Sequence, residues 1–143
     1  MLYTFDPKLL IITFGGIPLT GFAEGTVLTI ERSEDMFKEY VGASGEVSRA
    51  KSNNRTGTAK LSLAQTSPAN DYLSTMALLD ESVNAGVRPF FAKDGLGTSI
   101  FMAPQAYVKK VAPAAYGKDI QAREWTIFLV DINIFVGGNI PQI

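Results

Sequence analysis

The chain contains no cysteine and no histidine. The first absence excludes disulfides, thiolate nucleophiles and the usual zinc sites. The second removes the side chain most often used as a general base near neutral pH. Charge is also sparse. Only 19% of the 143 residues are Asp, Glu, Lys or Arg, while 46% are apolar. That balance belongs to a folded chain with a real core, not to a disordered one, and it points to surface covered by a partner. The net charge of −1 is evenly spread, with six basic and seven acidic side chains in residues 1–57 and seven of each in 58–143. No basic arm or acidic tail draws the chain toward nucleic acid.

Long hydrophobic runs are missing as well. The longest, "WTIFLVDINIFV" at 125–136, is short and is interrupted by Asp131 and Asn133, so it cannot cross a bilayer as a helix and no membrane insertion is expected. The start, "MLYTFDPKLL", has no basic region followed by a long apolar stretch and a cleavage site, and is not read as a signal peptide. Asn54-Arg55-Thr56 is then a glycosylation sequon by coincidence.

What remains is mostly strand-like. "LLIITF" at 9–14 and "IPLTGF" flank Gly15-Gly16, a pair that permits the positive φ angles of a tight hairpin turn. "TVLTIERS" at 26–33 alternates, with Leu28 and Ile30 on one face and Thr29 and Glu31 on the other. "MFKEYV" at 36–41 is a further strand, and "GASG" at 42–45 a turn. "GTAKLSLAQT" at 57–66 gives the cleanest alternation, Leu61 and Leu63 opposing Lys60, Ser62 and Ala64. After residue 86, strands are expected at 87–94, at 98–103, after Pro104, and as one or two strands over 122–136, with a loop at 112–119. Between these lies one helix, expected at 68–85: Ser67 caps it, Pro68 suits its first position, and Gly86 stops it. Tyr72, Met76, Leu79 and Val83 make its apolar face. The expected fold is mainly β: an antiparallel sandwich or barrel of about eight strands with one α-helix, forming a single domain over 1–143. In 125–136 both faces are apolar, so either the helix or another subunit covers the second one.

No catalytic constellation emerges. "YGKD" at 116–119 lacks the upstream glycine and the following Ser or Thr of a phosphate-binding loop. Glu31, Glu34, Asp35 and Glu39 form an acidic cluster that reads as a solvated or interface face rather than a pair of glycosidase acids. No cofactor or metal is expected. Nor does "SRAKSNNRTGT" at 48–58 read as a nucleic-acid site. Its Arg49, Lys51 and Arg55 have no interleaved aromatics for base stacking. Residues 31–39 sum to −2 and residues 42–57 to +2. Such patches can meet within one chain, or head-to-tail between copies, which builds rings or filaments. Candidate contact residues are Glu31, Glu34 and Asp35 on one side and Arg49, Lys51, Asn53, Asn54 and Arg55 on the other.

Certain stretches, in this order, carry a family resemblance: the "FGG" hairpin from Phe14, "GFAEGT" at 21–26, "ERSEDMF" at 31–37, "VGASGEVSR" at 41–49, "SNNRTGT" at 52–58, "LAQTSPAND" at 63–71 and "REWTIFLVD" at 123–131. Nearly the whole chain resembles the tail tube proteins of contractile-tailed bacteriophages, the myoviruses. The resemblance implies a non-enzymatic virion protein of hexameric rings, stacked into a hollow tube around one continuous β-barrel. Its helix would lie outside. An extended loop, here near 42–57, and the termini, here 132–143, would bridge rings and subunits. Implied partners are further copies of the chain, the tail sheath, tape measure, baseplate and tail terminator proteins, and phage DNA passing without sequence-specific binding. Assembly would take place in the host cytoplasm. The secreted Hcp tube proteins of type VI secretion systems share the implied fold. Two alternatives stand beside this one: a monomeric β-barrel module that binds nucleic acid, and a baseplate or tube-terminator ring protein of the same fold.

Overall fold

The structure is a computed structural model and describes residues 1–142. Ile143, the last residue of the segment expected to serve assembly, lies outside the described residues. Among the described residues the chain is mainly β, with ten strands in antiparallel sheets and one α-helix. The strands are β1 (Leu10–Phe14), β2 (Ile17–Pro18), β3 (Leu28–Arg32), β4 (Phe37–Val41), β5 (Val47–Lys51), β6 (Gly57–Ala64), β7 (Arg88–Asp94), β8 (Ile100–Lys110), β9 (Ala122–Leu129) and β10 (Asn133–Phe135). Helix α1 (Ala69–Val83) follows β6. The main sheet runs β2-β1-β7-β8-β9-β6-β3, with β10 also on β8; β4 and β5 form a separate two-stranded sheet.

Alternation decides which face is dry. Ala59, Leu61 and Leu63 of β6 sit opposite Ile127, Trp125 and Arg123 of β9, and the three apolar residues of β6 are fully buried with Trp125 and Ile127. Ile12 and Phe14 of β1 continue the same face through Phe90 and Ala92 of β7. The glycine pair after Phe14 adopts φ of 64° and 79°, the mirror-image turn that matches strand twist.

Helix α1 covers this face. Its buried side is centred on Ala69, Asn70 and Leu73, with Tyr72 and Met76 at the flank, while Val83 is 62% exposed. The apolar face expected through Val83 is therefore rotated toward Leu73. Two polar ties fix the helix to the sheet. Trp125 Nε1 donates to Asn70 Oδ1 at 2.9 Å while Asn70 Nδ2 donates to the Ala64 carbonyl at 2.8 Å. Tyr72 donates its hydroxyl to the Phe14 carbonyl at 2.7 Å. Burial pushes the Tyr72 phenol up, against a smaller lowering by the Arg88 guanidinium. The helix ends at Asn84, left-handed at φ 56°, rather than at Gly86, which instead accommodates the Asp80 side chain against its backbone.

Pro104 does not divide the strand it occupies. β8 runs through it because the pairing with β7 shifts register between Arg88 and Phe90, leaving an extra residue on β8. A bulge of that kind has room for a residue with no N–H to give. The late apolar run, by contrast, is two strands. Asp131 at φ 46° breaks it, and Ile132 turns back into the core at 1% exposure. Of the two apolar faces there, α1 and the core cover the Trp125, Ile127 and Leu129 side; Phe128 on the other side stacks at 5.4 Å on Tyr107.

Candidate assembly arm and its neck

Residues 36–52 form an arm that leaves the main sheet where β3 ends and β6 begins. β4 and β5 pair from Phe37↔Lys51 to Val41↔Val47. Their turn is closed by Gly42 N–H to the Glu46 carbonyl at 2.8 Å, with Gly45 at φ 85°. The extended loop expected near 42–57 is thus a strand, a neck and the start of β6. β5 escapes the alternation rule because neither of its faces is buried. All five of its residues are exposed, and Tyr40, Val41 and Val47 lie 70%, 64% and 71% open to solvent.

Directly opposed residues share a face, which places Phe37, Glu39, Val41, Val47, Arg49 and Lys51 together. Arg49 lies over the Phe37 ring at 4.1 Å from its centre. The opposite face carries Lys38, Tyr40, Ser48 and Ala50.

Below the hairpin, "SNNRT" at 52–56 is a hydrogen-bonded neck. Ser33 N–H donates to the Thr56 carbonyl at 3.0 Å and Ser52 N–H to the Met36 carbonyl at 2.8 Å. Asn54 Oδ1 accepts from Thr56 N–H at 3.0 Å, and Arg32 Nη2 donates to the Asn54 carbonyl at 3.1 Å. The Thr56 hydroxyl lies 2.9 Å from Ser33 Oγ, and Ser52 Oγ donates to Glu34 Oε1. Arg55 reaches sideways: Nε donates to Asp131 Oδ1 at 2.7 Å, and Nη2 to Asn133 Oδ1 at 2.9 Å and the Ile132 carbonyl at 3.3 Å. The backbone adds Ile132 N–H to the Arg55 carbonyl at 2.8 Å.

The candidate contact residues therefore separate into groups. Glu34, Asp35 and Lys51 line one hollow of about 480 Å³ at the base of the arm, without forming an ion pair. Arg49 stands on the arm, and Asn53 is exposed at the neck. Asn54 and Arg55 bond to other residues of the chain, with half of the Arg55 side chain still open to solvent. Glu31 belongs to β3, opposite Thr58, and points to the face of the sheet away from α1. Among the described residues the one ion pair is Arg55–Asp131, so the acidic 31–39 and basic 42–57 segments do not neutralise each other in the monomer. Asp131 and Asn133, which hold the neck, are contributors that pattern reading missed. The signal available was a pair of polar residues interrupting an apolar run.

Residues 15–137 match the model of the family described as the bacteriophage PhiTE tail tube protein. A structural protein of Pseudomonas phage KPP10, named ORF10, is 34% identical over 123 residues, covering 85% of this chain and 71% of that one. Solved structures share the fold at low identity. The tube-terminating cap of the anti-feeding prophage superposes at TM-score 0.64 with 15% identity, covering 94% of this chain and 93% of that one. The sheath/tube terminator of an extracellular contractile injection system gives 0.58 and 12%, covering 94% and 99%. A chain of the sheath–tube complex of such a system gives 0.57 and 12%, covering 93% and 92%. With most of its length matched, the chain belongs to the PhiTE tail tube protein family and is a structural protein of a bacteriophage tail.

Proposed function

We propose that this chain is the repeating subunit of the inner tube of a contractile phage tail, assembling into stacked hexameric rings whose lumen conducts the phage DNA. The observation that carries the reading is the arm. It is a two-stranded sheet with no buried face of its own, and such a ribbon is marginally stable in water without a partner. Its apolar tip, Tyr40, Val41 and Val47, is a surface awaiting contact.

Direction supports stacking. The arm leaves the end of β6 at Gly57; the other end of β6, at Ala64, lies beside Ala122 and the Gly21 carbonyl. There a groove of about 400 Å³ is lined by Phe22, Ala23, Glu24, Ile120 and Ala122. An arm at one end and a groove at the other make a head-to-tail contact, the kind that closes into rings or grows into filaments. The free edge of β3 offers a second junction, where joining sheets would pair its open backbone groups. Sheath, tape measure, baseplate and terminator proteins are the partners such a tube would meet, in the virion tail and during assembly in the host cytoplasm.

A second reading is a tube terminator, supported by the shared fold with a tube-terminating cap and a sheath/tube terminator. Negative-stain electron microscopy of the purified protein separates the two. Tubes of fixed width and growing length are expected for the subunit, single rings that never elongate for a terminator. Monomers at high concentration, retained on DNA in a salt-sensitive way, would instead support the nucleic-acid module.

A further inference from the structure

We infer that Arg55 is a positioning residue of the arm, not a contact cation: it locks the neck to the β9–β10 joint and so sets the direction in which the arm leaves the sheet. Charge alone groups Arg55 with Arg49 and Lys51. Geometry removes it from that group. One guanidinium holds Asp131, Asn133 and the Ile132 carbonyl together, three acceptors on consecutive residues, and the Arg55 carbonyl takes the Ile132 N–H. A planar fork holds such a set with donors in fixed geometry; an ammonium on a flexible stem has three donors but no fixed arrangement of them. The acceptor side is equally specific. Asp131 sits at φ 46°, a conformation that turns the chain so that residues 131–133 present oxygens on one side while Ile132 is buried.

The neck is the one place where the arm's attachment can be steered. Above it no described residue of the arm belongs to the hydrophobic core, and below it Gly57 is packed so closely on the Glu31 carbonyl and Ile132 that a Cβ there would clash. Ile132 therefore touches both the clamp and the first residue of β6. Loss of the guanidinium bonds loosens the arm about residues 52–56, where the bonds to Ser33, Arg32, Glu34 and Met36 remain, while leaving the fold of the main sheet in place. Its consequence for assembly rests on the proposed role of the arm, but its consequence for arm mobility does not.

The test is a double-mutant cycle of Arg55→Ala and Asp131→Gly. Glycine removes the carboxylate but keeps the left-handed backbone at no steric cost. Trypsin is applied to the unassembled protein, and cuts after Lys38, Arg49 and Lys51 are mapped by mass spectrometry. Each single variant is expected to be cut several-fold faster in the arm than the parent, and the double variant no faster than either. Tube number and length, read by electron microscopy, are expected to fall by the same factor in all three. Arg55→Lys is expected to recover little of either. Arm cleavage at the parental rate in Arg55→Ala overturns the inference. So does a tube defect in Arg55→Ala that Asp131→Gly lacks, since that marks Arg55 as a direct contact. If the parent protein forms no tubes, the assembly reading fails, and the proteolysis cycle still decides the clamp.

Discussion

The main body and the arm are both antiparallel β-structure, and they are held by opposite means. In β6, Gly57, Ala59, Leu61 and Leu63 are buried on every second position, and Trp125, Ile127 and Leu73 close over them. In β5, five residues in a row are exposed, and order comes from a tight turn, one Arg49–Phe37 contact and a polar neck. Burial contributes roughly 1.5–3 kcal/mol for each large apolar side chain, whereas exposed polar contacts contribute about 1 kcal/mol or less. The body therefore carries the stability of the chain. The arm is an exposed ribbon that costs the monomer little, and on the proposed function it is the surface that meets a second molecule.

The widest gap between the two regions is expected from Trp125→Ala, which opens the centre of the body. It should cost about 3–5 kcal/mol in chemical denaturation, and assembly should vanish with the fold. Asn70→Ala comes next, because it leaves the buried indole N–H without a partner and takes one of two donors from the Ala64 carbonyl, which keeps the Ser67 N–H, at about 1–3 kcal/mol. Tyr72→Phe should cost about 1 kcal/mol by thermal melting. Tyr72 also gives the body a pH signature. Its folded phenol is held above the ordinary value, so its contribution is complete below about pH 10 and is lost as pH rises through the raised value. Melting of the parent should fall there more than melting of Tyr72→Phe; equal falls would sink the assignment. At the small end, Val41→Ser with Val47→Ser should shift stability by less than about 0.5 kcal/mol and, on the proposed role of the arm, stop the growth of tubes seen by electron microscopy. A large loss of stability from that pair would erase the distinction between body and arm.

The same distinction explains what could be read from the sequence. Where a strand packs on one face, as in "GTAKLSLAQT", alternation names the buried residues correctly, and Gly15-Gly16 names the turn. The helix was legible from Ser67-Pro68 and its apolar spacing, but its contact face shifts by one position to Leu73, because the sheet chooses which side docks. Pro104 within β8 was not legible, since the bulge that tolerates it depends on the partner strand. β5 carries no periodic signal because nothing covers it. Arg55 was the hardest case. Its partners lie 76 and 78 residues further along the chain, and summing charge over 42–57 merges an arginine bonded within the chain with Arg49 and Lys51, which form no ion pair among the described residues.

The Asn70–Trp125 tie also has an optical consequence. The chain has one tryptophan, and it is 2% exposed, with its indole N–H bonded inside the body. Its emission will be that of a dry indole in the native protein and will redden when the body opens. The arm contains no indole, so it can swing or dock without disturbing that signal. Fluorescence will thus follow the unfolding of the body alone, and motion of the arm will leave it unchanged.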